Sequence, residues 1–313
     1  MSRPPLRLGT RKSPMAMTQS GHVARLITER TGTAVELVGL TTFGDVTRAA
    51  LAQIGGTGVF ASALRESLLA GDIDLAVHSL KDLPVGPVPG LVLAAVPPRD
   101  DPRDALVGQR GAKLADLPAG ARVGTGSPRR AAQLRLLRPD IEPVPVRGNA
   151  GTRLGKVTSG ELDGVLLACA GLARIGRLEA ISQVFEPEEM MPAPGQGALA
   201  VECRAADSAL AGLLAAVDDP ASHRAISAER GVLAALQAGC SAPVGAYAAG
   251  TELLQLTAVV AAVDGGSAVR ARAAGPAAEA ARLGADVAAE LLRRGAAKYM
   301  TVSSELFSGD DAL

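Results

Sequence analysis

Two distant segments of this 313-residue chain follow the same local grammar, and that echo limits the fold more than any single motif. Leu6–Thr10 and Ala121–Thr125 both read as short strands, and each is followed within a few residues by Ser-Pro, at Ser13-Pro14 and Ser127-Pro128. Serine as N-cap with proline at the first helical position predicts a helix start at both places, because the pair satisfies or dispenses with amide donors that a helix leaves open. The remaining N–H groups favour an anion. Basic residues surround both starts: Arg11 and Lys12 precede the first, and Arg129 and Arg130 open the second. Acids are the usual preference there. A bound counter-ion accounts for the reversal, and solvated surface arginines account for it equally well.

The echo continues downstream, where Gly71-Asp72-Ile73-Asp74-Leu75-Ala76-Val77 parallels Gly160-Glu161-Leu162-Asp163-Gly164-Val165-Leu166. In each, a helix ends and a buried strand begins. Apolar strands alternating with helices imply parallel or mixed sheets covered on both faces, whose ligands collect at the carboxyl ends of the strands. The fold class is therefore α/β, with two similar units enclosing a cleft. Pro97-Pro98-Arg99-Asp100-Asp101-Pro102-Arg103-Asp104 is the expected hinge, since its prolines and charges continue neither helix nor strand. A second crossing is expected near Pro192-Ala193-Pro194-Gly195-Gln196-Gly197, after which Ala198–Glu202 return to the first unit as a strand.

Beyond Asp219 a third unit is expected: a helix over Pro220–Gln237, strand-like runs Leu254–Val263 and Ser267–Ala273, then a helix over Ala277–Arg294. Asp219 reads as the N-cap of its first helix and Gly239 as the left-handed residue that ends it. The expected domains are residues 1–98 with 198–217 (discontinuous α/β), 103–193 (α/β), and a smaller α+β domain over 219–313.

Net charge narrows the partners. With 32 basic and 32 acidic residues the chain is formally neutral, so no global field draws it to nucleic acid or an anionic membrane. Any basic site is local, and 27 of the basic residues are arginine, whose planar fork grips carboxylate or phosphate in a bidentate way. Met1–Pro14 is basic and lacks the apolar core of a secretory signal, and three cysteines are an odd number, so a cytoplasmic, reduced protein is expected. Cys169 and Cys203 lie in apolar surroundings and read as packing residues. With three histidines and no paired Cys-x-x-Cys, no metal site is expected. Cys240 differs. A free cysteine more often fills core space, but this one sits in Gly239-Cys240-Ser241-Ala242-Pro243-Val244-Gly245-Ala246-Tyr247, where the chain turns after a helix. That makes its thiol a chemical handle.

Taken in order, several segments resemble the porphobilinogen deaminase (hydroxymethylbilane synthase) family over nearly the whole chain. They are Arg11-Lys12-Ser13-Pro14, Ile54-Gly55-Gly56-Thr57-Gly58-Val59-Phe60, His78-Ser79-Leu80-Lys81-Asp82-Leu83-Pro84 and Asp101-Pro102-Arg103-Asp104. Gly124-Thr125-Gly126-Ser127-Pro128-Arg129-Arg130, Arg147-Gly148-Asn149 leading to Arg153, Ala170-Gly171-Leu172 leading to Arg174, Gly195-Gln196-Gly197-Ala198 and the cysteine turn complete the set. The resemblance implies two periplasmic-binding-protein-like domains plus a smaller C-terminal one, and a monomer. It also implies a dipyrromethane cofactor joined by a thioether to Cys240, on which four porphobilinogen molecules condense head to tail with release of ammonia.

By motif position, Asp82 is the implied catalytic aspartate. Arg11, Arg129, Arg130, Arg147, Arg153 and Arg174, with Ser13, Ser79, Lys81, Thr125, Ser127 and Gln196, are implied to bind cofactor or substrate. Buried carboxylates without such partners would be prohibitive. Phe60 is implied to stack on a pyrrole from a glycine-rich lid. Lys81 is expected to point away from Asp82 if their segment is extended. Gln53 and Thr57 depart from the family pattern, where many relatives carry lysine, which puts the lid's charge contacts in doubt.

Overall fold

A computed structural model describes residues 4–40, 58–239 and 242–300. Gln53, Thr57 and Cys240, with the side chain of Phe60, lie outside the described residues. By contact the chain divides into two compact units, residues 1–100 with 197–224 and residues 101–196 with 225–313.

The first unit runs β1 (Leu6–Arg11), α1 (Pro14–Thr31), β2 (Val35–Leu40), α2 (Gly58–Ala70), β3 (Leu75–Ser79) and β4 (Leu91–Ala95). In the second come β5 (Asp104–Gly108), β6 (Arg122–Thr125), α3 (Pro128–Leu137), β7 (Glu142–Pro145), α4 (Ala150–Thr158), β8 (Gly164–Ala168), α5 (Cys169–Arg174) and β9 (Gln183–Phe185). The chain then returns with β10 (Leu199–Arg204) and α6 (Ser208–Leu214) to the first unit. After α7 (Pro220–Ala235) come β11 (Val244–Ala249), β12 (Leu253–Ala261), β13 (Ala268–Pro276) and α8 (Ala280–Arg293).

The two five-stranded sheets share one plan, β2-β1-β3-β10-β4 and β7-β6-β8-β5-β9. In each, three strands pair in parallel and a fourth inserts antiparallel: β10 against β3 and β4, β5 against β8 and β9. Each inserted strand follows a crossing of the chain. Strands β3 and β8 are covered on both faces, as their unbroken apolar runs require. Leu75 and Val77 join the core beside α1, and Ala76 joins that of α2 on the other face.

The echo is visible at single atoms. Asp74 and Asp163 each accept from a backbone N–H of the preceding sheet strand, Arg7 at 2.9 Å and Arg122 at 2.7 Å. Each returns its own N–H to the same residue's carbonyl, at 2.8 and 3.0 Å. A Cβ on Gly9 would lie 2.3 Å from Ile73 Cδ1, and one on Gly124 would lie 2.7 Å from Leu162 Cδ1. In both strands a side chain at the glycine would have to displace the Ile73 or Leu162 tip that packs onto the same spot.

The C-terminal sheet is antiparallel, β11-β12-β13. It is covered by α8, whose buried Ala280, Leu283, Gly284, Val287, Ala288 and Leu291 form one helical face. Strand β11, part of the cysteine motif in the sequence, had no strand reading there, and the other two begin and end within three residues of expectation. Among the described residues no helix is long and apolar enough to cross a membrane.

Asp219 caps α7, its carboxylate accepting from Ser222 N–H at 2.9 Å. The far end corrects the expectation. Gln237, at φ 52°, is the left-handed residue, and Gly239 is not. Ala238 N–H donates to Leu233 O at 3.0 Å and Gln237 N–H to Ala234 O at 3.1 Å. This Schellman pair closes the helix two residues earlier than glycine's preference for that conformation suggested.

Candidate active-site residues at the carboxyl ends of the strands

In the second unit the parallel pairing of β6 with β7 and β8 brings their carboxyl ends to one edge. The chain leaves that edge through Thr125–Arg130, Arg147–Arg153 and Cys169–Arg174. Strand β5 runs the other way, with Asp104 opposite Ala168, so its first residue reaches the same edge. Eight sequence-predicted residues therefore collect in one place by topology: Thr125, Ser127, Arg129, Arg130, Arg147, Arg153, Arg174 and, just before the return crossing, Gln196.

Local rules shape each loop. Thr125, buried, accepts from Ser127 N–H at 3.2 Å through Oγ1, and Ser127 Oγ accepts from Arg130 N–H at 3.4 Å as N-cap of α3. The first turn of α3 holds no acid, which leaves its positive end uncompensated. Asn149 caps α4, accepting from Thr152 N–H at 2.8 Å. Arg153 lies one turn into α4, and its Nη2 would be 3.9 Å from a Cβ on Gly126, while that Cβ would sit 2.8 Å from Val146 O. The loops after β6 and β7 thus touch, and no side chain fits at 126. Arg147 is exposed, and Arg153 and Arg174 are half-buried.

Arg129 and Arg130 are not surface arginines: they are 3% and 5% exposed. Arg129 Nη1 donates to Asp104 Oδ2 at 2.7 Å and to Met191 O at 2.6 Å. Arg130 reaches Asp104 Oδ1 through Nε at 3.0 Å and Nη2 at 2.7 Å, and Leu166 O through Nη1 at 3.0 Å. Gln196, wholly buried, donates through Nε2 to Asp104 Oδ1 and to Pro102 O, both at 2.7 Å. Burial would raise the Asp104 carboxyl, but the two guanidiniums hold it far below the usual carboxylate range.

Burial also ties the C-terminal sheet to this edge. Glu229 of α7, fully buried, accepts from Gly195 N–H at 2.8 Å and from Ala248 N–H of β11 at 2.9 Å. Ala246 N–H donates to Pro192 O at 3.0 Å. The strand that follows the cysteine turn is therefore pinned beside Gln196.

In the first unit, β1 and β3 are parallel and end at Arg11 and Ser79. Ser13 caps α1, its Oγ accepting from Ala16 N–H at 3.3 Å. Antiparallel β10 starts at the same edge, Leu199 opposite Ser79. Leu80–Asp82 form a single 3-10 turn, closed by Leu83 N–H to Leu80 O at 3.1 Å and anchored by Leu80 N–H to Ala198 O at 3.0 Å. The segment is not extended, so strand alternation does not set the direction of Lys81; a tight turn displaces the two side chains by rotation instead. Asp82 is exposed and Lys81 half-buried.

Behind that turn, Glu202 of β10 accepts from Arg65 of α2 through both oxygens, at 2.7 and 2.9 Å. His78 Nε2 lies 3.1 Å from the same carboxylate, at ion-pair distance without the alignment of a hydrogen bond. Burial pushes the Glu202 carboxyl up, and His78 and Arg65 outweigh it, bringing it down to about 2. Asp104, Glu202 and Glu229 had no sequence-based role. The available signal was an acid inside or heading an otherwise apolar run, as in Leu199-Ala200-Val201-Glu202-Cys203.

Cys169 and Cys203 are buried free thiols. Burial pushes Cys169 up to about 12 and raises Cys203 as well, which removes both as nucleophiles at neutral pH. Among the described residues no cluster of three metal-ligating side chains occurs.

An edge lined by guanidiniums, hydroxyls and open helix amides, as at the strand ends of the second sheet, suits a polyanionic ligand. Residues 6–212 match the family described as "Porphobilinogen deaminase, dipyromethane cofactor binding domain", and residues 223–293 match "Porphobilinogen deaminase, C-terminal domain". A porphobilinogen deaminase of Thermobifida fusca is 62% identical over 274 residues, covering 87% of this chain and 86% of its own. "Porphobilinogen deaminase 1" of Streptomyces coelicolor is 52% identical over 314 residues, covering 96% and 98%. That of Mycobacterium tuberculosis is 50% identical over 305 residues, covering 94% and 98%. With both halves of its sequence matched and the arginine-rich strand ends inside the matched span, the chain belongs to the porphobilinogen deaminase family.

Proposed function

We propose that the chain is a hydroxymethylbilane synthase of tetrapyrrole biosynthesis. As a transferase it condenses four porphobilinogen molecules head to tail on a dipyrromethane primer held by Cys240. It releases ammonia at each addition and frees hydroxymethylbilane with water. One observation carries the reading: within the span matched to the cofactor-binding domain, the arginines and Asp82 sit at the carboxyl ends of parallel strands in both sheets.

The residues suit a dipyrromethane. Every pyrrole of such a group bears an acetate and a propionate, and the donors at the strand ends are cationic or hydroxylic. The buried Nε of Arg129 has no hydrogen-bond partner, which an acidic side arm would supply. When bound, the group offers the nucleophilic pyrrole carbon at which the chain grows.

The protein's own residues do the rest. Arg129, Arg130, Arg147, Arg153 and Arg174 bind carboxylates from the second sheet, with Thr125, Ser127 and the α3 amides. Arg11, Ser13, Ser79 and Lys81 do so from the first, Phe60 stacks on a pyrrole, and Gln196 completes the binding set. Asp82 stabilises the positive charge that develops on the substrate pyrrole as its aminomethyl C–N bond breaks. That charge is absent in the bound substrate, so the interaction lowers the barrier and not merely the ground state. The same carboxylate exchanges a proton with the departing amine and takes the ring proton lost when the new C–C bond forms.

The three domains are 1–98 with 198–217, 103–193 and 219–313. The separate antiparallel sheet β11-β12-β13 supports dividing the last from the rest. The protein acts as a monomer in the cytoplasm, and zero net charge supports the absence of nucleic-acid or membrane partners. Denaturing intact-mass measurement of purified protein tests the central claim. The wild type is expected to exceed its polypeptide mass by two linked pyrrole units and Cys240→Ser to show the polypeptide alone; a wild type of bare polypeptide mass would sink the assignment.

A further inference from the structure

Asp104 is placed to do more than complete a motif. It is wholly buried, and its two oxygens take four hydrogen bonds: three on Oδ1 from Arg130 and Gln196, one on Oδ2 from Arg129. The other acceptors hydrogen-bonded to the pair are neutral: Met191 O, Leu166 O and Gln196 Oε1, the last 3.4 Å from Arg130 Nη2. Two guanidiniums thus share one carboxylate, and the cluster holds one positive charge beyond neutrality away from water. Such a charge is costly unless paired.

The geometry shows where the surplus lies. Arg130 is engaged through Nε, Nη1 and Nη2, so its plane is fixed. Arg129 is held through Nη1, and its buried Nε has no hydrogen-bond partner. Burial lowers the Arg129 pKa, Asp104 opposes that, and Arg130 adds to it. An anion arriving beside Arg129 would relieve both the orphaned donor and the surplus charge.

We propose that Asp104 is the positioning residue of the arginine pair: it fixes both guanidiniums and, by neutralising one of two, leaves a charge vacancy that one ligand carboxylate fills. Gln196 acts through Asp104, holding its Oδ1 against the Pro102 carbonyl, and is a positioning residue too. This inference rests on the assignment of a covalently held oligopyrrole to the site.

Full-length Asp104→Asn, Asp104→Glu and Gln196→Met test it. The readouts are loaded fraction by denaturing intact mass, folding by thermal melt, and KM and kcat per loaded molecule for porphobilinogen. Asp104→Asn is expected to cut the loaded fraction at least tenfold and to raise KM at least tenfold in what loads. Asp104→Glu, which keeps the charge, is expected to recover at least half of wild-type loading. Gln196→Met leaves every charge in place and keeps the test open should Asp104→Asn not fold; its KM is expected to rise about threefold with kcat within twofold. The proposal is overturned if folded Asp104→Asn loads and binds within twofold of wild type, if Asp104→Glu loads no better than Asp104→Asn, or if Gln196→Met leaves KM unchanged. A wild type without added mass would instead refute the cofactor assignment.

Discussion

Replacing Glu202 by glutamine isolates the buried pair behind the Asp82 turn. The Glu202 side chain is 6% exposed and Arg65 12%, so solvent screening removes little of their attraction. The folded carboxyl titrates at about 2 against an ordinary 4.5. At about 1.36 kcal/mol per pH unit, that difference makes the ionised form worth about 3 kcal/mol. The folded value is depressed, so this stability is fully present above pH 4.5 and drains away as pH falls towards 2. Glu202→Gln should therefore cost about 3 kcal/mol at pH 7, in line with breaking one partner of a buried pair. The cost should shrink as pH falls below 4.5.

A multi-domain chain does not report one unfolding free energy. Hydrogen exchange of peptides covering β3 and β10 is the suitable assay, because it reads the opening of this sheet alone. Protection in β10 should fall about 100-fold in the variant at pH 7, the factor that about 3 kcal/mol commands within its uncertainty. A loss under fivefold, or one that grows as pH drops from 5 to 4, would refute the pairing argument.

Two further outcomes follow from single residues. Asp82→Asn touches an exposed side chain in a turn closed by backbone bonds, so melting temperature should hold while kcat falls about 10²- to 10³-fold; near-normal porphobilinogen consumption would remove Asp82 from the chemistry. Gln237→Gly relieves a non-glycine residue held at φ 52° and should stabilise the end of α7 by about 0.5 to 1 kcal/mol, read as increased hydrogen-exchange protection of α7 peptides, and a less protected variant would contradict the assigned conformation.

What could be read from the chain divides along interaction range. Ser13-Pro14 and Ser127-Pro128 announced their helices because a cap is a contact three residues long. The repeated Gly-x-x-Asp turns were legible for the same reason. Gly239 misled because glycine's conformational freedom is only a preference, and the Schellman bonds to Leu233 and Ala234 close the helix at Gln237 instead. The expectation for Lys81 held only for an extended segment, and its condition is not met, because Leu80 is anchored to Ala198 and the chain turns there.

The acids that organise the site were harder, since their partners are remote. Glu202 meets Arg65 across 137 positions, and Asp104 meets Gln196 across 92. Both distances arise from one topological event, the insertion of an antiparallel strand after each crossing of the chain. No local pattern encodes that insertion. Yet a charge inside a strand covered on both faces costs too much to persist unpaired, so Glu202 in its apolar run already required a cation from elsewhere in the fold. The sequence could state the demand, and only the sheet order could name Arg65 as the answer.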